Sequence, residues 1–231
     1  MFFFDPLYLI MMAPGFLLAF WASWRTKSAF NKYSKIRALT GLTGAEAAAR
    51  LLAGAGLNEV RIERAQGFLS DHYNPTTKTL ALSEGVYGSP SIAAIGVACH
   101  EAGHAIQHAH GYAPLWLRTA LVPTAGIGSN LGYVVMLIGL FLASSKMVLV
   151  GAVLFSLVLL FQIVTLPVEF DASARAKRLV LDYGIVTAGE RDGIDRVLNA
   201  AAMTYVAAVV ASLLTLLYFL LRAGLLGGRD D

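Results

Sequence analysis

The sequence predicts a mainly α polytopic membrane protein, with four transmembrane helices and a small α+β cytoplasmic unit. Three observations predict it. Hydrophobic residues make up 57% of the 231 residues and charged residues only 14%, against about 45–50% and about 25% in a soluble domain. Four long stretches carry no charge. The Lys and Arg residues gather between those stretches. The mean hydropathy of +0.63 excludes a disordered chain, a fibrous repeat and an ordinary cytosolic enzyme. Cys99 is the single cysteine, which excludes a disulfide-stapled secreted scaffold.

A spanning helix needs about 20 mostly apolar residues. The first lies within residues 1–24, where the uncharged run 7–24 is interrupted by Pro14-Gly15, a kink signal. It is not a cleavable signal peptide, because Asp5 precedes it and a basic cluster follows. That cluster, Arg25, Lys27, Lys32, Lys35 and Arg37, puts the N-terminus outside and the following residues in the cytoplasm. Residues 25–118 then form the cytoplasmic unit. Residues 119–168 form a transmembrane hairpin, with uncharged runs 119–145 and 147–168 and an outer turn near Ser144-Ser145-Lys146. Residues 169–199 return to the cytoplasm, and residues 200–231 hold the fourth helix and a tail, its uncharged run starting at 197. Under this topology fifteen of the eighteen Lys and Arg residues are cytoplasmic, and only Lys146, Arg222 and Arg229 are outside. Gly128 and Gly132 have the spacing of close helix packing.

Residues 41–118 read as a folded unit. Thr43-Gly44-Ala45-Glu46 has capping-box spacing, and the helix it starts ends at Gly54 and Gly56. Residues 60–62 suggest a short strand. Residues 68–73 and 78–82 flank Asn74-Pro75-Thr76 as a hairpin. Its second strand, residues 79–82, offers either an open edge for an extended peptide or a plain structural edge. Ser89-Pro90 supplies an N-cap and a first-turn proline for a helix from Pro90 to about Ala109, with Gly111 as its stop.

That helix carries His100-Glu101-Ala102-Gly103-His104, the H-E-x-x-H pattern of zinc hydrolases. His100 and His104 fall about 40° apart on one face, so both imidazoles can reach one Zn²⁺. Glu101 flanks that face and is placed to take a proton from a water activated by the metal, without ligating it. The bland alternative is a surface histidine pair with a salt-bridging glutamate. Helix placement and caps favour the metal.

Catalytic zinc usually has three protein ligands. His110 has the spacing of the longer H-E-x-x-H-x-x-G-x-x-H pattern, but Gln107 stands where that pattern needs glycine, so an unbroken helix carries His110 away. His108 lies about 12 Å along the axis from His100, too far for shared ligation. His72 sits in the predicted hairpin and is equally a substrate contact or a turn cap. Glu169 ends the third span on the same side as His104; there it meets the metal, pairs with Arg175 or faces the lipid headgroups. Cys99 reads as a buried small apolar side chain. Tyr205 reads as a packing or interfacial aromatic, or a group stabilising an oxyanion.

With these residues in view, the sequence resembles the YugP-type membrane zinc metallopeptidases of bacteria. The likeness rests on Leu69-Ser70-Asp71-His72-Tyr73, on residues 96–108 around the histidine pair, on residues 161–173 with Leu166-Pro167-Val168-Glu169-Phe170-Asp171-Ala172-Ser173, and on residues 197–208. More distantly it is similar to gluzincin membrane peptidases such as HtpX and the prenyl-protein proteases, whose third ligand is a helix-borne glutamate in a pattern like E-F-x-A-D. The resemblance implies a zinc endopeptidase of the bacterial inner (plasma) membrane, with Zn²⁺ on His100, His104 and Glu169 and the site facing the cytoplasm. Ser173 stands where that pattern has its aspartate, so the resemblance makes Asp171 the substitute that orients a histidine.

The expected partners are a peptide or membrane-protein substrate, the lipid bilayer, and a second copy or a regulatory membrane partner. Nucleic acid is not expected, because the basic residues cluster beside the spans. A transporter is disfavoured because the spans hold no internal ionisable residue. The remaining alternative is a catalytically inactive zinc-binding membrane assembly factor.

Overall fold

Long apolar runs and capping signals translate into a mainly helical chain with one small sheet. The computed structural model describes residues 5–67 and 70–226. The elements are α1 (Pro6–Tyr33), α2 (Gly44–Gly54), β1 (Arg61–Ala65), β2 (His72–Asn74), β3 (Thr79–Ser83), α3 (Glu84–Tyr87), α4 (Ile92–Ala109), α5 (Ala113–Ile127), a π-helical turn (Gly128–Gly132), α6 (Tyr133–Phe141), α7 (Ser145–Asp182) and α8 (Ala188–Arg222). Phe68 and Leu69 of the expected hairpin, and Arg229 of the tail, lie outside the described residues. The chain divides into two compact units, one of Met1–Ala22, Leu117–Leu166 and Thr204–Asp231, the other of Ser23–Trp116 and Pro167–Met203. Helices α1, α7 and α8 contribute to both.

In the first unit, α1, α7 and α8 are long and apolar enough to cross a membrane; the count becomes four if the bent pair Ala113–Gly126 and Gly128–Phe141 is one span. Ile10, Phe20, Phe141 and Val153 are exposed, large apolar side chains of the kind that an interaction or membrane surface presents. The expected span 119–145 lies in a broken helix. Its helix starts at Ala113 and bends by 48° at residue 127, close to Pro123, which has no N–H to donate, and to the π-helical turn. Small residues let the backbones approach. A Cβ on Gly128 would stand 2.6 Å from the Leu154 carbonyl oxygen, and one on Gly132 2.7 Å from the Phe155 nitrogen. Met12, Met136, Phe155, Tyr218 and Phe219 fill the core between the helices.

The second unit is built around α4. Ser91, not Ser89, is its N-cap, with the Ser91 hydroxyl accepting from the Ala94 N–H at 3.2 Å. The Ser89 hydroxyl instead donates to Ser91, and Pro90 stays outside the helix, its carbonyl accepting from the Ala38 N–H. The capping box at α2 is present: the Thr43 hydroxyl accepts from the Glu46 N–H, and the Thr43 N–H donates to the Glu46 carboxylate at 2.8 Å. Ala47, Ala48 and Leu51 of α2, Leu80 and Leu82 of β3, and Val180 and Ile194 of α7 and α8 are buried with Ile95, Ala98 and Ala102 of α4 in one core.

The sheet order is β1-β3-β2, with β1 parallel and β2 antiparallel to β3. This overturns the expected edge at residues 79–82, since β3 is the central strand with both sides paired. The hairpin signal identifies only the β2–β3 pairing. The parallel partner β1 comes from a connection that local patterns do not encode. The Asp71 carboxylate accepts from the Ser83 N–H and hydroxyl at 2.8 and 3.0 Å, which fixes the chain ahead of β2.

Candidate metal centre

The site forms where α4 and α7 touch. Gly103 lies between the two histidines, and a Cβ there would stand 2.7 Å from the carbonyl oxygen of Ala172 on α7. Glycine therefore permits backbone-to-backbone contact at the point where the ligand residues must meet. On α7, Glu169, Ala172, Ser173 and Ala176 are all buried, an i, i+3, i+4, i+7 stripe laid against α4.

Across this seam the Glu169 Oε2 lies 3.2 Å from His100 Nε2 and 3.7 Å from His104 Nε2. The three ligand atoms fall within 4.8 Å of one another. Tetrahedral zinc with bonds near 2.0–2.1 Å separates its ligands by about 3.4 Å, so the spacing fits. The chemistry fits too. Glu169 is 2% exposed, and a buried carboxylate needs a cation or a full set of donors. Burial opposes its charge, yet the hydrogen bonds from His100 and His104 hold its pKa well below the usual carboxylate range. Burial likewise acts to lower the His104 pKa, but the Glu169 and Glu101 carboxylates outweigh it and raise the value above the ordinary imidazole one.

A family described as "Putative neutral zinc metallopeptidase" matches residues 8–224. The chain belongs to this family. It is also 44% identical over 225 residues to "Putative membrane protease YugP" of Bacillus subtilis (strain 168), covering 97% of this chain and 99% of that relative. No solved structure matches it. The cofactor of a zinc peptidase family and the His100, His104 and Glu169 cluster agree, so these three residues are the candidate zinc ligands of this family member.

The ligands are held from behind. Ser173 Oγ lies 3.1 Å from His100 Nδ1. Gln107 Oε1 lies 3.0 Å from His104 Nδ1, and Gln107 Nε2 donates to the Val168 carbonyl and to the Asp171 carboxylate, both at 2.8 Å. Asp171 in turn accepts from Arg175, whose guanidinium covers the Tyr112 ring and approaches His110 Nδ1 at 3.3 Å. The residue at the pattern's aspartate position, Ser173, itself meets a histidine, and Asp171 reaches His104 only through Gln107. One helical turn separates Glu169 from Ser173, which points both side chains at His100. Asp171 points two residues round the helix.

The other candidates sit elsewhere. Among the described residues the cluster that could hold a metal contains neither His72, His108 nor His110. His72 opens β2, exposed, with Nδ1 2.8 Å from the Ser70 carbonyl oxygen. His108 Nδ1 lies 2.9 Å from the Tyr73 hydroxyl. His110 is the C-cap of an unbroken α4. Cys99 is fully buried and free, and burial pushes its thiol pKa far above the usual range, which leaves it a small apolar filler. Tyr205 is half-buried on α8, in the first compact unit. Glu101 is 9% exposed on α4, close enough to His104 for their charges to interact. Sequence reasoning missed Gln107 and Gly103 as parts of the site. Gln107 registered only as the absence of a glycine, though its place three residues after His104 on a helix was a signal that the two side chains meet.

Proposed function

We propose that this chain is a zinc-dependent endopeptidase, hydrolysing peptide bonds at the cytoplasmic membrane face in membrane-protein processing or quality control. The observation that carries it is the meeting of Glu169 with both imidazoles, 3.2 and 3.7 Å away, beside a glutamate that is itself outside the ligand set. His100, His104 and Glu169 would hold the zinc. Zinc supplies, when bound, a Lewis acid that polarises the scissile carbonyl and lowers the pKa of water from about 15.7 to about 7. Glu101 takes the proton of the attacking water and passes it to the nitrogen of the departing amine, so the water oxygen ends on the new carboxylate and the C–N bond breaks. Burial of Glu101 in the α4 core keeps its carboxylate in place for both transfers.

The cytoplasmic placement rests on the positive-inside bias of residues 25–37 and 169–199. The substrate class, membrane proteins or peptides near the bilayer, rests on a site carried by the same helix, α7, that holds the apolar run 147–168. Glu101→Gln is expected to retain zinc and to lose hydrolysis of a peptide substrate by at least about 100-fold, the scale of a lost general base. Full activity in that variant would overturn the mechanism. Zinc bound by the unsubstituted chain with no turnover of any membrane-protein substrate would instead favour an inactive assembly factor.

A further inference from the structure

We propose that Gln107 is a positioning residue that fixes the tautomer of His104 and, through it, the direction of the lone pair offered to the metal. This rests on the reading of His104 and Glu169 as zinc ligands. Gln107 is completely buried, so water cannot stand in for its partners. A glutamine amide has one end that only accepts and one that only donates, and the neighbours here decide which end goes where. The two atoms 2.8 Å from one end are the Val168 carbonyl oxygen and the Asp171 Oδ2. Neither has a hydrogen to give, so that end must be the NH₂ group. The other end, 3.0 Å from His104 Nδ1, must then be the carbonyl oxygen, which accepts and cannot donate. It follows that His104 Nδ1 carries a hydrogen and donates it. In the neutral ring the free lone pair is then on Nε2, the nitrogen that faces Glu169 Oε2.

The orientation of the amide is enforced from further out. Asp171 is held by the Arg175 guanidinium, so an ionic pair on the far side selects the amide face and the amide selects the imidazole nitrogen. The same NH₂ group ties α4 to α7 at Val168, the residue before Glu169. One buried side chain thereby sets the lone pair of one ligand and the backbone position of another. A carboxylate commonly does the first of these tasks at metal-bound histidines. An amide does it without adding negative charge behind a cluster that already holds Glu169 and Glu101.

The test uses the full chain in detergent, in a Glu101→Gln background so that turnover does not interfere. Zinc affinity is measured by competition with a chelator, and Co²⁺ substitution reports the ligand field. Gln107→Met keeps the volume and removes the amide. It is expected to weaken zinc 10–100-fold and to shift the Co²⁺ spectrum, with helicity and thermal unfolding close to those of the parent. The ¹⁵N resonances of the His104 ring in the metal-free chain, read above the pH at which the ring becomes neutral, are expected to lose the pattern of a single Nδ1–H tautomer. Gln107→Glu with Asp171→Asn reverses amide and carboxylate while keeping an acceptor on His104 Nδ1 and a donor between positions 107 and 171. It is expected to bind zinc less than 10-fold more weakly than the parent, and it supplies the test if the methionine variant does not fold. Zinc affinity and Co²⁺ spectrum unchanged in Gln107→Met, or a double variant that binds zinc at least 10-fold more weakly than the parent, would overturn the inference. Failure of the parent to bind zinc at all would instead overturn the metal-site reading beneath it.

Discussion

At the scale of residues, the centre sets one buried carboxylate, Glu169, against two imidazoles. The sign of its pH dependence follows from the two shifts. The depressed Glu169 pKa contributes stability that is complete above the unfolded carboxylate value of about 4.3 and is lost as pH falls through the folded value. The raised His104 pKa contributes stability that is complete below the unfolded imidazole value of about 6.5 and is lost as pH rises through the folded value. The metal-free protein therefore has both contributions between about pH 4.3 and 6.5, and the histidine's share fades above that window. Zinc needs the Nε2 lone pair, so its uptake in this window must expel a proton. Calorimetric titration with zinc in buffers of different ionisation enthalpy should register proton release that diminishes as pH rises past the folded His104 value. Uptake with no proton exchange at pH 6.5 would contradict ligation by His104. The motif residues were legible at this scale from spacing alone. Ser173 and Gln107 were visible as letters but not as partners, because which side chain faces an imidazole's far nitrogen depends on a neighbouring helix.

At the scale of elements, the contact between α4 and α7 governs the site. Gly103→Ala adds a methyl group where only 2.7 Å separates it from the Ala172 carbonyl oxygen, a backbone atom that cannot rotate away. The helices must separate, at a cost of about 1–3 kcal/mol, and Glu169 moves with α7. Zinc affinity is expected to fall at least tenfold and thermal stability to drop. A chelator competition and a melting curve check both, and parental affinity in this variant would show that the ligands do not depend on the close approach. Most elements could be read from the chain. The α2 capping box and the α4 stop at Gly111 rest on local hydrogen bonds among residues a few positions apart. The N-cap of α4 was misplaced by two residues because two serines flank Pro90 and only the fold decides which hydroxyl is free to accept. The centre of the sheet was misread as an edge for a related reason. The parallel β1–β3 pairing joins Arg61 to Thr79 across an intervening strand, and alternation within a strand says nothing about its neighbours.

At the scale of the whole molecule, the apolar runs and the one-sided Lys and Arg residues make a claim about topology that can be measured. With single-cysteine labelling in intact cells, after Cys99 is replaced, a probe at Lys146 should react from outside, and probes at Lys35 and Thr187 only after permeabilisation. External labelling at Thr187 would remove the proposed cytoplasmic site. Composition by itself pointed to a bilayer, because 57% apolar residues stand well above the about 45–50% of a soluble domain. Helical periodicity determined that His100 and His104 share a face. The resemblance already pointed to Glu169, but only tertiary structure brought it, 69 residues beyond His100, to the two imidazoles, and put Gln107 rather than Asp171 against His104. Periodicity fixes which way a side chain points from its own helix. It carries no information on which helix stands opposite, and that is settled by where glycine and alanine let two backbones come together.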